Sequence, residues 1–224
     1  MGSRRLKRKM GLIIGGHPLI DWVLLRVKKI KKNCIIYLAT SNAAENNYLI
    51  NRAKKFNINY FRGSENDVLS RFFDISKLVN SDAIVRICAD NPFIDPDEID
   101  TLIQFYLKND YDYCFNHQNK INSGHADGFG AEIFSKDVLA MLNKLVFKKQ
   151  HKEHVTKYIW DNPKKFKIGY APCSNKINFP QFKFDIDTYN DKIKIDKIIE
   201  NGITIDTKAS QIIDVYNKII KYNN

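Results

Sequence analysis

The stretch IVRICADNPFID, residues 84–95, predicts the fold of this chain. Its apolar, β-branched start is typical of a buried strand. Asn91 and Pro92 end that strand, because proline lacks an N–H and restricts the backbone of the residue before it. Asp90 is therefore expected where a strand stops, at the sheet edge where open α/β proteins bind ligands.

A second stretch, FKFDIDT at residues 182–188, has the same character: a short apolar strand that ends in acids. Two such carboxylates brought together would offer the hard oxygen ligands that Mg²⁺ prefers. The alternative is ordinary capping, because an acid at a strand end commonly caps the next helix. The choice between them depends on the rest of the chain.

Helix-like and strand-like segments alternate from residue 19 onward, which predicts an α/β fold with a mostly parallel sheet and helices on both faces. The predicted helices span 19–30, 42–56, 68–79, 96–108, 136–145, 153–160, 191–200 and 210–220. The predicted strands lie at 34–38, 60–62, 84–87, 112–115, 131–134 and 182–187. We expect a single domain over 1–224, in which about 111–160 forms a lid, acceptor-binding or oligomerisation subregion.

Composition limits the class of protein. The 224 residues, 44% of them hydrophobic, suffice for a sizeable core. A run of about 18 apolar residues is absent, so no membrane span is expected, and no signal peptide is visible. The cysteines are far apart and lack metal-ligand spacing, which fits free thiols and a cytoplasmic location.

The formal net charge of +11 favours an anionic partner, either nucleic acid or a small molecule. Lysine is scattered among Asn and Ile, however, so compositional bias is the alternative. The dense basic cluster RRLKRK at residues 4–9 is the exception. It fits a solvated tail, a nucleic-acid arm or a phosphate-binding loop.

Candidate ligand loops follow one another along the chain: GSRRL-x₂-K at 2–9, TSN at 40–42, RGSENDVL at 62–69, R-x₃-DNP at 86–92, DG at 127–128, EHVT at 153–156 and DT at 187–188. Together they resemble the cytidylyltransferase family that includes CMP-sugar-acid synthetases, in its spore coat polysaccharide biosynthesis protein F-like branch. The resemblance covers most of the chain, and the loops at 62–69, 86–92 and 153–156 are highly specific in combination.

The resemblance implies a Rossmann-like fold of the nucleotide-diphospho-sugar transferase type. It also implies that an acceptor oxygen attacks the α-phosphorus of CTP and releases pyrophosphate, with Mg²⁺ as cofactor, for surface glycan biosynthesis. The expected partners are CTP and a small acceptor, a sugar acid or a related molecule. Nucleic acid and membrane are not expected partners, and a homodimer is left open.

The resemblance further implies a role for each matching residue. The catalytic basic pair is Arg5 and Lys9, and the metal-binding acids are Asp90 and Asp187. Nucleotide binding is expected from Gly2, Ser3, Arg5, Lys9, Thr40, Arg62, Gly63, Ser64, Arg86 and Asn91. Acceptor binding is expected from Asp127, Glu132, Glu153 and His154. For Arg86, pairing with Asp90 or Asp187 is the alternative.

Four departures from the family pattern stand out. Lys7-Arg8 replaces a Pro-Gly pair, Gly130 stands where an acid is usual, and Asp185 adds a carboxylate two residues before Asp187. The strand that precedes the first loop in this architecture is also missing. We therefore expect two neighbouring strand edges to be unpaired, through a misassigned start or a truncation.

Three other functions remain open from the sequence. One is a cytidylyltransferase for a phosphorylated or phosphonate acceptor, and another is an inactive, truncated nucleotide-binding remnant. A basic nucleic-acid-binding module ranks last, because the sequence shows no helix-turn-helix, zinc-finger or aromatic RNA-binding signature.

Overall fold

A computed structural model describes residue 6 and residues 8–222. Gly2, Ser3 and Arg5 of the predicted triphosphate loop lie outside the described residues. Lys9, the other member of the basic pair, lies inside them.

The described strands are β1 Ile13–Ile14, β2 His17–Pro18, β3 Tyr37–Ser41, β4 Asn59–Gly63, β5 Ala83–Arg86, β6 Tyr113–Phe115, β7 Glu132–Ser135 and β8 Ile168–Tyr170. The described α-helices are α1 Leu19–Val27, α2 Asn47–Lys55, α3 Val68–Leu78, α4 Pro96–Lys108, α5 Lys136–Leu145, α6 Lys149–Glu153, α7 Lys157–Asp161, α8 Tyr189–Glu200 and α9 Ala209–Tyr222. Short 3₁₀ helices cover Lys9–Gly11, Ala44–Asn46 and Pro163–Lys165. None of these described helices has the length and apolar run that crossing a bilayer requires.

Local capping explains why two predicted helices have the bounds that the sequence indicated. Asp95 accepts a hydrogen bond from the backbone N–H of Asp97 at 2.9 Å, and Pro96 occupies the first turn of α4. Ser135 caps α5 in the same way, accepting from the backbone N–H of Val138 at 3.0 Å. The predictions of 96–108 and 136–145 are confirmed.

Three other predictions need correction. The predicted helix at 153–160 is wrong as a single helix, because α6 ends at Glu153 and α7 begins at Lys157. Between them the backbone of His154 is extended, with φ −111° and ψ 90°, which ends α6. The predicted strand at 182–187 joins no ladder, although Lys183 forms an isolated bridge with Asp127. Strand β8 has no counterpart in the prediction.

Strands β5, β7, β6 and β8 form a sheet in that order, with helices on both faces. Cys114 and Ile133 face a cluster with α1 and α4, whereas Tyr113 and Phe134 face a cluster with α3, α5 and α7. This alternation has the period of two that a pleated strand imposes. The α/β class with covered faces is confirmed; the antiparallel pairing of β7 with β5 and β6 was not indicated by the sequence.

Strands β3 and β4 form a separate parallel pair. In the described part of the chain, β3 pairs only with β4 and β5 pairs only with β7, so one edge of each strand is unpaired. The expectation of two unpaired edges caused by a missing first strand stays a prediction. Helix α1 connects the two sheets, because Leu24 packs in a cluster with Leu38 while Val23 packs in a cluster with Val85.

A C-terminal apolar cluster holds the 182–188 segment. Phe184 is fully buried, and its ring centroid lies 4.9 Å from that of Phe129 and 5.4 Å from that of Tyr216. Because Phe184 is anchored in this cluster, the acids that follow it, Asp185 and Asp187, have a defined position.

We predict that Phe184→Ala lowers the free energy of unfolding by about 3–5 kcal/mol, because a large buried ring is replaced by a cavity. Urea denaturation measures the change. Phe147 is 82% exposed, and Phe147→Ala is the matched control, with an expected change within about 0.5 kcal/mol. Similar losses in the two variants would contradict the anchoring role of Phe184.

Candidate functional site

Backbone hydrogen bonds bring three acidic segments together. The N–H of Ile186 donates to the carbonyl of Asp90 at 2.9 Å, and the N–H of Phe184 donates to the carbonyl of Asp127 at 2.9 Å. Consequently Asp90, Asp127, Asp185 and Asp187 line one cavity of about 490 Å³. The two acids predicted to act together therefore do lie together.

Lys9 lies between the two predicted metal ligands. Its Nζ atom is 2.9 Å from Oδ2 of Asp90 and 3.1 Å from Oδ1 of Asp187. The side chain is 9% exposed, so this ammonium is largely removed from water. One cation thus satisfies both carboxylates, and it holds the 3₁₀ helix Lys9–Gly11 against them.

The donor set fits a divalent cation that takes its other ligands from water and substrate. Asp90 and Asp187 both reach a single cation, the Lys9 ammonium, within 3.1 Å. Mg²⁺ characteristically uses one or two carboxylates together with waters and substrate phosphates. Within residue 6 and residues 8–222, no group of three or more His, Cys, Asp or Glu side chains has metal-binding geometry. A cage built by the protein alone is therefore not present among those residues.

Asp127 has a carboxyl group whose pKa is strongly shifted. Burial, followed by the negative charge of Asp185, raises the pKa of Asp127 to about 7, although Lys183 opposes the shift. Lys183 is itself bound to Asp185, at 3.0 Å from its Oδ2. Asp127 can therefore hold or release a proton near neutral pH.

Arg86 and Glu132, which the resemblance assigned to the nucleotide and the acceptor, are bound to each other. Arg86 forms an ion pair with Oε2 of Glu132, while Tyr113 and Thr156 donate hydroxyl hydrogen bonds to Oε1 at 2.6 and 2.7 Å. Burial, the largest single influence, would raise the pKa of Glu132, but the Arg86 guanidinium, His117 and the two hydroxyl donors together outweigh it and hold the pKa at about 2. Both residues line the cavity, yet their charges are already compensated, and the partner of Arg86 is Glu132 rather than Asp90 or Asp187. Their ligand roles stay predictions.

The residues predicted to hold the cytosine and ribose lie together at the ends of β3 and β4. Thr40 is in register with Arg62, and Ser41 with Gly63. The Arg62 guanidinium donates to the carbonyls of Asn42 and Ala43 at 2.8 and 2.9 Å, and Ser64 accepts from the N–H of Asp67 at 3.1 Å. The described lining of the 490 Å³ cavity includes none of Thr40, Arg62, Gly63 or Ser64.

Of the remaining predicted residues, Asn91, Asp127 and His154 line the cavity, whereas the exposed Glu153 does not. The lining also includes side chains to which the sequence assigned no role: His117, Gln118, Lys120, Cys88, Lys157 and Trp160. A signal was available for the first three, because they follow directly after the end of strand β6. The same strand-end rule had pointed to Asp90.

Comparison with known proteins adds three relatives and one family. The family model described as cytidylyltransferase matches residues 1–224. An uncharacterized protein of Methanocaldococcus jannaschii is 36% identical over 217 residues, 97% of this chain and 87% of the relative. The spore coat polysaccharide biosynthesis protein SpsF of Bacillus subtilis is 29% identical over 226 residues, 97% of this chain and 91% of the relative. A solved cytidylyltransferase from Leptospira borgpetersenii superposes with a TM-score of 0.90 at 28% identity, covering 99% of this chain and 92% of that one.

We predict that Glu132→Gln lowers the free energy of unfolding by about 3 kcal/mol, because it leaves the buried Arg86 guanidinium without its counter-charge. Chemical denaturation measures the loss. Asp110 forms an ion pair with Lys167 on the surface, its own side chain being 92% exposed. Asp110→Asn is therefore the matched control, with an expected change below about 1 kcal/mol. Equal losses of stability in the two variants would show that the Arg86–Glu132 pair contributes no more than a surface ion pair does.

We also predict that Asp127 makes stability depend on pH. Because the folded-state pKa is raised to about 7 from 3.8, the protonated carboxyl is favoured in the folded state. The resulting stability is present below about pH 4 and is lost as the pH rises through 7. Asp127→Asn should therefore be more stable than the wild type by about 1–2 kcal/mol at pH 8, with a smaller difference at pH 5. Denaturation across this pH range measures the difference, with the exposed Asp82→Asn as the control variant. If the stability of Asp127→Asn and that of the wild type changed in parallel with pH, the assignment would be contradicted.

Proposed function

This chain belongs to the cytidylyltransferase family, and we propose that it transfers CMP from CTP to a sugar acid or a related small acceptor. The Bacillus subtilis relative is named for spore coat polysaccharide biosynthesis, which supports a surface glycan as the destination. The observation that carries the proposal is the contact of Lys9 with Asp90 and Asp187 in a cavity at the strand-end edge. This arrangement combines a cation for phosphate with carboxylates for a metal.

In the proposed reaction, an oxygen of the acceptor attacks the α-phosphorus of CTP. The bond from that phosphorus to the bridging oxygen breaks, and the electron pair leaves with pyrophosphate. Such a transfer depends mostly on positioning and charge neutralisation. Lys9 is the described residue placed to neutralise phosphate charge, as a point charge with three donors. The matching roles of Gly2, Ser3 and Arg5 rest on the resemblance.

Asp90 and Asp187 are the residues that would hold Mg²⁺. A bound Mg²⁺ would supply charge neutralisation at the phosphate oxygens. In its absence the Lys9 ammonium balances the same two carboxylates. Lys9 is therefore expected to leave them for the triphosphate when the metal–nucleotide complex binds.

For the nucleoside, we propose the ends of β3 and β4 as the binding surface. Thr40 is 5% exposed, and its neighbour Arg62 holds the backbone at Asn42 and Ala43. Arg62 would thus act on the nucleotide through the shape of this loop as well as by direct contact. A pyrimidine is selected when its polar edge pairs with such groups, because a purine would leave them unpaired.

A second candidate function is nucleotide binding without turnover. The observation that favours it is that, within residue 6 and residues 8–222, one edge of β3 and one edge of β5 have no strand partner, and these two strands flank the proposed nucleotide site. Stabilisation by CTP with Mg²⁺, together with no release of pyrophosphate, would favour this candidate over catalysis.

The decisive experiment incubates the protein with CTP, Mg²⁺ and a panel of sugar acids, sugar phosphates and phosphonates, and measures pyrophosphate. We expect release that depends on CTP and on an acceptor. If CTP neither raises the melting temperature nor supports release, the proposal is wrong.

We predict that Lys9→Met lowers kcat/KM by about 100-fold or more, because one phosphate-neutralising charge is lost. The same substitution should strengthen the binding of Mg²⁺ to the nucleotide-free protein. With the competing ammonium removed, Mg²⁺ alone should raise the melting temperature of the variant more than that of the wild type.

The matched control is Lys77→Met, which removes an equal charge from a surface lysine that pairs with Asp74. It should leave both measurements unchanged. A Lys9→Met variant with wild-type turnover would exclude Lys9 from the reaction, and one with an unchanged response to Mg²⁺ would exclude the shared cation position.

A further inference from the structure

One cation in the cavity has no carboxylate bound to it. The Nζ atom of Lys120 lies 4.0 Å from the ring centroid of Trp160, and within the described residues no ion pair joins this ammonium to an acid. The other lysines of the site differ, because Lys157 lies 2.9 Å from Asp161 and Lys9 is held by its two aspartates. Lys120 therefore brings a positive charge that the described protein leaves available.

The side chains around Lys120 compensate this charge only in part, since the Glu132 and Asp127 carboxylates raise its pKa but neither forms an ion pair with it. Burial lowers the pKa of His117 to about 4, so its imidazole is neutral at pH 7. Gln118 is uncharged and contacts the His117 ring, with the two Nε2 atoms 2.6 Å apart. The Glu132 carboxylate is already engaged by Arg86 and two hydroxyl groups. Burial also lowers the pKa of Lys120, which shows that its ammonium is partly desolvated.

The Trp160 ring is a fixed support for this ammonium. Its Nε1 donates to the hydroxyl oxygen of Tyr113 at 3.3 Å, and that hydroxyl donates to Glu132 at 2.6 Å. The Trp160 ring also meets the rings of Tyr113 and Phe115 edge to face, with centroids 5.5 and 5.3 Å away. An indole face attracts a cation, so Lys120 is held over the ring with its outer side free for a ligand.

We propose that Lys120, supported by Trp160, binds an anionic group of the acceptor, either a carboxylate or a phosphate. This inference rests on the proposed function, because it specifies the acceptor of that reaction. The aspartates that line the same cavity, among them Asp90 and Asp187, repel an anion. The acceptor is thereby oriented: its anionic group faces Lys120, and its attacking oxygen faces the aspartates and the phosphate.

Fluorescence titration without CTP or metal tests the proposal. The indole of Trp160 lines the cavity, whereas Trp22 is 1% exposed in the core, so ligand binding should change the emission of Trp160. The probes are glucuronate, glucose 1-phosphate and neutral glucose. We expect at least one anionic probe to bind more tightly than glucose. Tighter glucuronate binding identifies a carboxylate acceptor, and tighter glucose 1-phosphate binding identifies a phosphorylated one.

Lys120→Met should weaken binding of the preferred anionic probe by about tenfold or more and leave glucose unaffected, because only the charge–charge contact is lost. Lys120→Arg should restore the affinity to within about threefold, since it keeps a cation over the ring. Lys77→Met is the matched control, because Lys77 also lies over an aromatic ring, 4.2 Å from the centroid of Phe73, but outside the cavity lining. It should bind the probe as the wild type does.

Two results would overturn the inference: equal affinity of Lys120→Met and wild type for the anionic probe, or wild-type protein that binds neither anionic probe better than glucose. The titration needs no turnover. Loss of anion selectivity therefore rejects the Lys120 subsite alone, whereas intact selectivity without pyrophosphate release rejects the proposed function alone.

Discussion

The site depends on one electrostatic constraint: Asp90 and Asp187 lie close enough to share a cation, and Lys9 supplies it, 2.9 and 3.1 Å away. Without a cation, two largely buried carboxylates at this separation would repel each other, which costs more in a protein interior than in water. The contact joins the start of the described chain to the strand-end loop after β5 and to the segment before α8. The proposed metal would therefore take the place of the lysine, and the triphosphate is what we propose that the lysine binds instead.

That constraint is set by apolar packing and backbone hydrogen bonds behind the carboxylates. The N–H groups of Phe184 and Ile186 bind the carbonyls of Asp127 and Asp90, while the side chains of Phe184 and Ile186 are fully buried. Side chains alternate between the two sides of an extended segment, so Asp185 and Asp187 are directed away from the apolar cluster. The acids are therefore positioned by their neighbours in sequence.

The lining of the cavity carries negative side chains in one part and a positive side chain in another. One part carries aspartates with Lys9 between two of them, and another part carries the Lys120 ammonium on the Trp160 ring. Glu132 separates these roles, since it satisfies Arg86 and holds Tyr113, which in turn orients Trp160. A small anion with a reactive hydroxyl fits this division, and membership of the cytidylyltransferase family gives it a nucleotide to react with.

The sequence by itself determined whatever depends on near neighbours along the chain. The caps at Asp95 and Ser135 specify where two helices begin, and the strand-end rule pointed to Asp90 and Asp187. Only the tertiary structure decided which charges meet, because Lys9 and Asp187 are 178 residues apart and Arg86 and Glu132 are 46 apart. The antiparallel course of β7, the break between α6 and α7 and the pairing of Lys120 with Trp160 likewise arise from packing across the sheet. These partners meet because the fold brings them close together in space. The local periodicity of the sequence does not encode that proximity.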